Sequence, residues 1–228
     1  MLESTLIACY TDFMSYSVFL AGSSADSMAG FAEAAKQAGN TLFMADSGKE
    51  QTGAVVWNKA SPISARTMIL QAVAAGGEID RAILVFDADA YEAVYRDFSV
   101  ENISRGMDDM IAGYQYMAEE FVNRYAQNAG NSCWLTYVLC SSTEKTSALT
   151  AAAEAAFQAF AEKTAEAYAG SNLKFTLVRC DSATKAETPS WLNAYWGLSG
   201  AEKAASQAKT AGHWVKTGGK PPLGILGR

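Results

Sequence analysis

Residues 18–46 constrain the fold more than any other stretch of this chain. The stretch opens with a short apolar run, breaks at Gly22, and continues with apolar residues at helical spacing until Gly39. Glycine ends a helix readily because it takes up the left-handed conformation without a Cβ penalty. A second apolar run follows and ends in Asp46. A strand, a helix and a strand within about thirty residues have the length of a parallel crossover, so this stretch predicts the first unit of an α/β fold.

The rest of the chain continues this alternation of strand-like and helical segments. Further strands are expected at residues 53–57, 81–86, 132–140, 172–180 and 222–226. Further helices are expected at residues 62–75, 103–127, 148–168 and 199–214. The second of these helices carries methionine and aromatic residues at helical spacing, a stripe that is typical of a core or a subunit interface.

Length, composition and charge limit the classes of function. With 228 residues, of which 50% are hydrophobic and 18% charged, the chain is long enough for one well-buried α/β domain. Its net charge of −6 makes nucleic acid and anionic membranes poor partners. No apolar run reaches the length of a membrane span, and the start of the chain lacks the features of a signal peptide.

The cysteines favour a reducing compartment. Four are present without any metal-ligand spacing, and Cys133, Cys140 and Cys180 lie in apolar strand-like runs. Such a pattern fits buried, reduced thiols in a cytoplasmic protein, and no metal site is expected.

The order of these segments resembles that of the short-chain dehydrogenase/reductase (SDR) family. In that family the first strand ends in T-G-x-x-x-G-x-G, a glycine closes the helix eleven residues later, and a ribose-binding acid often ends the second strand. In this chain Ala21 and Gly22 match the Thr-Gly, Gly39 lies eleven residues after Met28, and Asp46 falls on the acidic position.

The resemblance covers roughly residues 17–180 and, more loosely, the last strand. It implies a three-layer α/β/α Rossmann-like, doubly wound sheet of seven parallel strands in the order 3-2-1-4-5-6-7. We expect a single domain over residues 1–228, with residues 1–17 as an N-terminal extension. Residues 181–215 would form a substrate lid or helices that fold over the sheet edge.

The phosphate-binding loop departs from the family pattern. Its two other glycines are replaced by Asp26 and Met28. Glycine lets the backbone approach a pyrophosphate at a helix N-terminus, whereas a carboxylate repels the phosphates and a thioether fills their space. The family's N-N-A-G after the fourth strand becomes Asp-Ala-Asp-Ala, which adds Asp87 and Asp89. We therefore predict that NAD(P) binding is lost. The vestigial positions of the cofactor site are Gly22, Asp26, Met28, Asp46, Asp87 and Asp89.

The catalytic motif of the family is also missing. No Tyr-x-x-x-Lys occurs in the sequence, and the matching positions are Thr150 and Glu154. Ser141 and Ser142 resemble the family's strand-end serine pair, and the asparagine of its proton relay is replaced by Met110. Neither threonine nor glutamate can exchange a proton and hold a ribose as tyrosine and lysine do, so no catalytic residues are expected.

The favoured hypothesis is a catalytically inactive, SDR-like pseudoenzyme with a structural, regulatory or oligomer-forming role. The resemblance implies a homodimer or homotetramer that pairs helices 103–127 and 148–168. No cofactor is expected, because the phosphate-binding loop departs from the family pattern. The alternative is a divergent oxidoreductase or a small-molecule-binding protein that uses the crevice at the carboxyl ends of the strands; an unrelated α/β function is a third possibility. Candidate polar residues for that crevice are Asp26, Asp46, Asp87, Asp89, Ser141, Ser142 and Glu144.

Overall fold

The computed structural model describes residues 15–45, 56–128, 130–142, 144–196 and 212–218. The strands are β1 (Ser17–Gly22), β2 (Thr41–Ala45), β3 (Arg81–Asp87), β4 (Cys133–Cys140), β5 (Leu173–Cys180) and β6 (Trp214–Lys216). The α-helices are α1 (Ala25–Gln37), α2 (Pro62–Gly76), α3 (Ala88–Tyr95), α4 (Val100–Met107), α5 (Gly113–Phe121), α6 (Ala148–Ala167) and α7 (Thr188–Trp196). Two π-helical segments, Asp108–Ala112 and Val122–Ala126, follow α4 and α5. None of the described helices is long and apolar enough to cross a membrane.

The strands form one parallel sheet in the order β2-β1-β3-β4-β5-β6. The Rossmann-like fold class is thus confirmed, with the first strand inside the sheet and the order reversing beside it. The predicted number of strands is wrong for the part of the chain that the structure describes, where the sheet has six strands rather than seven.

The predicted strand–helix–strand unit is confirmed as β1, α1 and β2. Helix α1 begins after Ser24, whose side chain accepts a hydrogen bond from the backbone of Ser27, as N-cap residues do. It ends before Gly39, which has a φ of 75°. Asp46 lies outside the described residues.

Alternation along the buried strands divides the core into two layers. On one face, strand residues such as Phe19 and Leu84 pack with α2, α3, α5 and α6. On the other face, residues such as Leu20 and Val85 pack with α1 and α7. Each strand end therefore presents neighbouring residues to two different environments.

Three predicted segments differ from the structure or extend beyond its described residues. The strand at 53–57 is not present at its described end, where Val56 makes an isolated bridge and the ring of Trp57 is buried in the core. The prediction of a helix at 199–214 is wrong at the end of that range, because Gly212 has a φ of 73° and Trp214 begins β6 beside β5. The rest of that helix and the predicted strand 222–226 lie outside the described residues.

The predicted helix at 103–127 is a continuous helical run from Val100 to Ala126 in which α- and π-helical turns alternate. Most of its methionine and aromatic stripe lies in the core, as Met110, Met117 and Phe121 are fully buried, whereas Met107 is exposed. Inserted π turns often occur at functional sites, because they shift the side chains that follow them.

Candidate functional site

The β1–α1 turn is where the family places the dinucleotide phosphates, and in this chain Met28 packs into it. The Met28 side chain is fully buried. A Cβ added to Gly22 would lie 2.8 Å from Met28 Cγ and 3.3 Å from Val85 Cβ. Gly22 is therefore required because the thioether side chain lies directly against its backbone.

The N-terminus of α1 is closed by its own side chains. The Ser27 amide donates to Ser24 Oγ at 3.2 Å, and the Ser24 amide donates to Ser27 Oγ at 3.0 Å. This reciprocal capping box uses two backbone donors that an anion could otherwise bind. Asp26 is exposed in the first turn of the same helix.

Asp87 ends β3 as a buried carboxylate. Its side chain is only 3% exposed, and Oδ2 lies 2.6 Å from the ammonium of Lys185. Burial disfavours the charged lysine, but the hydrogen bond and negative charge of Asp87 outweigh it, so the pKa of Lys185 is raised. Asp87 Oδ1 is buried without a hydrogen-bond partner among the described residues. Asp89, by contrast, is exposed on α3.

A pair of thiols follows at the ends of the next two strands. Cys140 and Cys180 occupy matched positions of β4 and β5, and their Sγ atoms are 2.6 Å apart. The hydrogen bond with Cys180 and burial raise the pKa of Cys140. Both residues and Cys133 are free and buried, and their burial was predicted from the apolar runs in which they lie.

The positions matched to the family's catalytic residues take part in local contacts. Thr150 is fully buried, and its backbone amide donates to Ser147 Oγ, the N-cap of α6, at 3.3 Å. Glu154 accepts a hydrogen bond of 2.6 Å from Ser141 Oγ. Met110 is buried, and its methyl group would lie 2.8 Å from a Cβ added to Gly106.

In the described part of the chain, the polar residues proposed for the crevice are either exposed or engaged in separate local contacts. Asp26, Asp89 and Glu144 are exposed, whereas Asp87 and Ser141 are paired with Lys185 and Glu154 as described above. Ser142 Oγ accepts from the Glu144 amide at 3.1 Å, which is a local turn contact. Asp87, Ser141 and Ser142 therefore take part in contacts at the carboxyl ends of β3 and β4.

A cavity of about 380 Å³ lies instead at the carboxyl ends of β1 and β3, on the α3 and α5 side of the sheet. Lys59 is 4% exposed and is the one lysine among the residues that line this cavity. Burial lowers the pKa of Lys59 to about 8, and the charge of Asp109 partly opposes this shift. The described lining residues are Ser23, Ser24, Val56, Trp57, Asn58, Lys59, Ala90, Tyr91, Val94, Tyr95 and Asp109.

Aromatic rings surround the Lys59 amine. Nζ lies 4.9 Å from the ring centre of Trp57, 5.1 Å from that of Tyr91 and 5.4 Å from that of Tyr114. It also donates a hydrogen bond of 2.9 Å to the Tyr91 hydroxyl. No carboxylate lies within salt-bridge distance of Nζ in the described part of the chain.

The hydroxyl groups next to Lys59 form a connected network. Tyr91 Oη is 2.9 Å from Tyr114 Oη and also donates to the backbone carbonyl of Asp109 at 2.9 Å. Tyr114 Oη donates to the Val85 carbonyl at 2.7 Å. Burial raises the pKa of both phenols, so they stay protonated at neutral pH.

The helix beside Lys59 makes room for it with a glycine. A Cβ added to Gly113 would lie 2.6 Å from Lys59 Cβ and 3.1 Å from Lys59 Cα. Gly113 follows directly after the first π-helical segment, so the irregular turn and the missing side chain together bring the backbone of Lys59 against the helix.

Sequence reasoning missed Lys59 and its tyrosines. Lys59 belongs to no motif, and Tyr91 and Tyr114 fit ordinary core positions on their helices. The one available signal was Gly113 in the interior of a strongly periodic helix, because an interior glycine often marks a close approach by another segment.

Comparisons of the sequence with known proteins find one relative and no family model. No protein-family model matches the chain. An uncharacterised protein from Treponema pallidum (strain Nichols) is 26% identical over 171 residues, which are 73% of each chain.

Solved structures of SDR enzymes match most of the chain. A short-chain dehydrogenase from Mycobacterium smegmatis has a TM-score of 0.67 at 14% identity, covering 91% of this chain and 94% of its own. The NADH enoyl-[acyl-carrier-protein] reductase of Aquifex aeolicus has a TM-score of 0.64 at 13% identity, covering 91% and 98%. An SDR-family oxidoreductase from Aeromonas hydrophila has a TM-score of 0.64 at 14% identity, covering 87% of this chain and 95% of its own. The chain thus has the SDR fold.

Proposed function

We propose that this protein uses the SDR fold without the family's dinucleotide or its hydride-transfer chemistry, as a pseudoenzyme with a structural, regulatory or oligomer-forming role. The observation that carries the proposal is the buried Met28 side chain packed against Gly22. A pyrophosphate held in the family's way needs that space and the free amides of the turn.

Electrostatics and hydrogen bonding support the same conclusion. The amides of Ser24 and Ser27 are already bonded to each other's side chains, so a phosphate would have to displace these bonds. Asp26 adds a negative charge in the first helical turn, although solvent screens it because it is exposed. This arrangement does not suit a dinucleotide.

The catalytic positions also support an inactive protein. Thr150 is buried in the first turn of α6, and Glu154 is bonded to Ser141. Neither position supplies a phenol beside a cation, which is the pair that the family needs to move a proton and hold a ribose.

Titration calorimetry with NAD(H) and NADP(H) tests the proposal. We expect the wild type to show no binding with a dissociation constant below about 1 mM. The double variant Asp26→Gly/Met28→Gly restores both glycines, and binding gained by this variant alone would identify the two residues as the cause. A micromolar dissociation constant for the wild type would overturn the proposal.

A second candidate function is small-molecule binding at the carboxyl ends of the strands, as a binding protein or a divergent oxidoreductase. One observation favours it: the cavity of about 380 Å³ lined by Lys59 and aromatic residues. Ligand pockets are typically concave, mostly apolar and equipped with a few polar groups. Small-molecule binding would be compatible with the loss of the dinucleotide. Ser23 and Ser24 of the β1–α1 turn line the cavity, but its aromatic residues Trp57 and Tyr91 pack on the opposite face of the sheet from Met28.

A further inference from the structure

We propose that the Lys59 amine captures a small aldehyde or ketone as a reversible imine, in the cavity at the carboxyl ends of β1 and β3. The proposal rests on the second candidate function, small-molecule binding in this cavity, and goes beyond it by naming the reacting atom and the chemical class of the ligand. It requires no dinucleotide, metal or other cofactor.

The position of Lys59 is unusual for a lysine. Lysine is rarely buried unless it is paired with a carboxylate, yet Lys59 is 4% exposed and its Nζ is bonded to a phenol. Trp57, Tyr91 and Tyr114 place ring faces around the amine. Lys59 and its hydrogen-bond partner Tyr91 both line the cavity, so these contacts hold the amine in a fixed position next to the cavity.

The surroundings also favour the nucleophilic form of the amine. With its pKa lowered to about 8, roughly a tenth of Lys59 is neutral at pH 7, against about one in three thousand for a lysine of ordinary pKa. Only the neutral amine attacks a carbonyl carbon, and lysines desolvated in apolar pockets serve as such nucleophiles in other proteins.

Titratable groups approach Lys59 from three elements. Tyr91 and Tyr95 come from α3, Asp109 from the first π-helical segment, and Tyr114 from α5. Burial raises the pKa of all three phenols, so they remain neutral near pH 8. The Asp109 carboxylate accepts a hydrogen bond from the Tyr95 hydroxyl.

The reaction balances without an oxidant or a reductant. The Nζ lone pair forms a bond to the carbonyl carbon, the C=O π bond breaks, and the oxygen takes up a proton to give a carbinolamine. The second proton of Nζ then passes to the oxygen, the nitrogen electron pair forms the C=N bond of the imine, and the C–O bond breaks to release water. The Tyr91 hydroxyl, 2.9 Å from Nζ, is placed to pass these protons between nitrogen and oxygen. Hydrolysis reverses every step.

The lining of the cavity indicates the kind of carbonyl compound. Val56, Trp57 and Val94 offer apolar and aromatic surface, and Asp109 disfavours an anion. A volume of about 380 Å³ is at the small end of ligand pockets. A small uncharged aldehyde or ketone with an apolar or aromatic body fits both features.

Reductive trapping of the wild type provides the test. The protein is incubated with benzaldehyde and sodium cyanoborohydride, which reduces an imine to a stable amine, and each lysine is followed by peptide mapping. We expect Lys59 to be modified at least about 10-fold faster at pH 7 than the exposed Lys36, owing to its larger neutral fraction. The labelling rate at Lys59 should rise towards pH 8, as its neutral fraction grows.

Variants locate the reaction and separate it from binding. Lys59→Arg should lose the fast label, Lys36→Arg should retain it, and Tyr91→Phe should slow labelling while leaving benzaldehyde affinity, measured by Trp fluorescence, within about 3-fold. The wild-type comparison of Lys59 with Lys36 stands even if a variant fails to fold. Benzaldehyde binding with no faster labelling of Lys59 overturns the imine but leaves small-molecule binding in place. Absence of both benzaldehyde binding and fast labelling of Lys59 overturns the imine and small-molecule binding in this cavity together.

Discussion

Because the Lys59 amine is buried, the free energy of unfolding should change with pH in the alkaline range. Its folded pKa of about 8 lies below the value of 10.5 in the unfolded chain. Between these values the unfolded state binds more protons, so the contribution of Lys59 to the free energy of unfolding rises with pH. Below pH 8 both states are protonated, and the full cost of burying the charge remains.

We therefore expect the free energy of unfolding of the wild type, relative to Lys59→Met, to rise by about 2 kcal/mol from pH 8 to pH 10. The difference between the two proteins removes the contribution of the buried tyrosines, whose pKa values are raised and which lower stability above pH 10. Urea unfolding at several pH values measures it. A difference that is flat over this range would show that Lys59 is not desolvated.

The Asp87–Lys185 pair can be compared with a second ion pair. Asp87 is 3% exposed, so Lys185→Met leaves a buried carboxylate without its cation and should lower the free energy of unfolding by about 2 kcal/mol. Lys216→Met breaks the exposed pair with Asp181, which spans 3.4 Å, and should change stability by less than about 1 kcal/mol. Denaturant titrations of both variants provide the measurement, and equal effects would contradict this account.

At the scale of elements, the approach of Lys59 to the α5 helix predicts unequal effects of two glycine substitutions. In Gly113→Ala the new methyl group meets Lys59 Cα, a backbone atom that cannot move cheaply. In Gly106→Ala it meets the flexible end of Met110 and Leu149 Cδ2. We expect Gly113→Ala to destabilise by about 1–3 kcal/mol and Gly106→Ala by less than about 0.5 kcal/mol, since alanine also favours the helix. Thermal or urea unfolding distinguishes them, and a neutral Gly113→Ala would refute the close contact.

The same scale shows what a sequence can predict. Local patterns placed β1, α1 and β2 correctly, because a strand buried on both faces and a helix closed by Gly39 leave clear signals. Helical spacing misplaced Trp214, because the turn at Gly212 interrupts a pattern that continues in the sequence. The cavity was not predictable, because Lys59, Tyr91 and Tyr114 meet only through tertiary packing and form no spaced motif.

At the scale of the whole molecule, the prediction concerns assembly into a homodimer or homotetramer. A groove of about 390 Å³ between α5 and α6 carries Tyr116, Val122, Phe160 and Tyr168, and these are the helices that we expect to pair. Light scattering at micromolar concentration should report a homodimer or homotetramer for the wild type. A monomer would contradict this expectation.

A charge in the groove should break that assembly. We expect Val122→Glu to shift the protein towards monomer, because it buries a carboxylate in the interface, while Ile63→Glu on α2 leaves the assembly unchanged. Size-exclusion chromatography with light scattering compares the two variants, which carry the same added charge. Equal behaviour of both variants would place the interface elsewhere.

The capping box at Ser24 and Ser27 has a consequence for the order of the β1–α1 turn. In a turn that waits for an anion, the amide hydrogens have no fixed acceptor until the ligand arrives, and the segment becomes rigid only then. Here both amides already have acceptors within the chain. The turn of the protein alone should therefore resist exchange with deuterium as strongly as the rest of α1, and adding a dinucleotide should leave that protection unchanged.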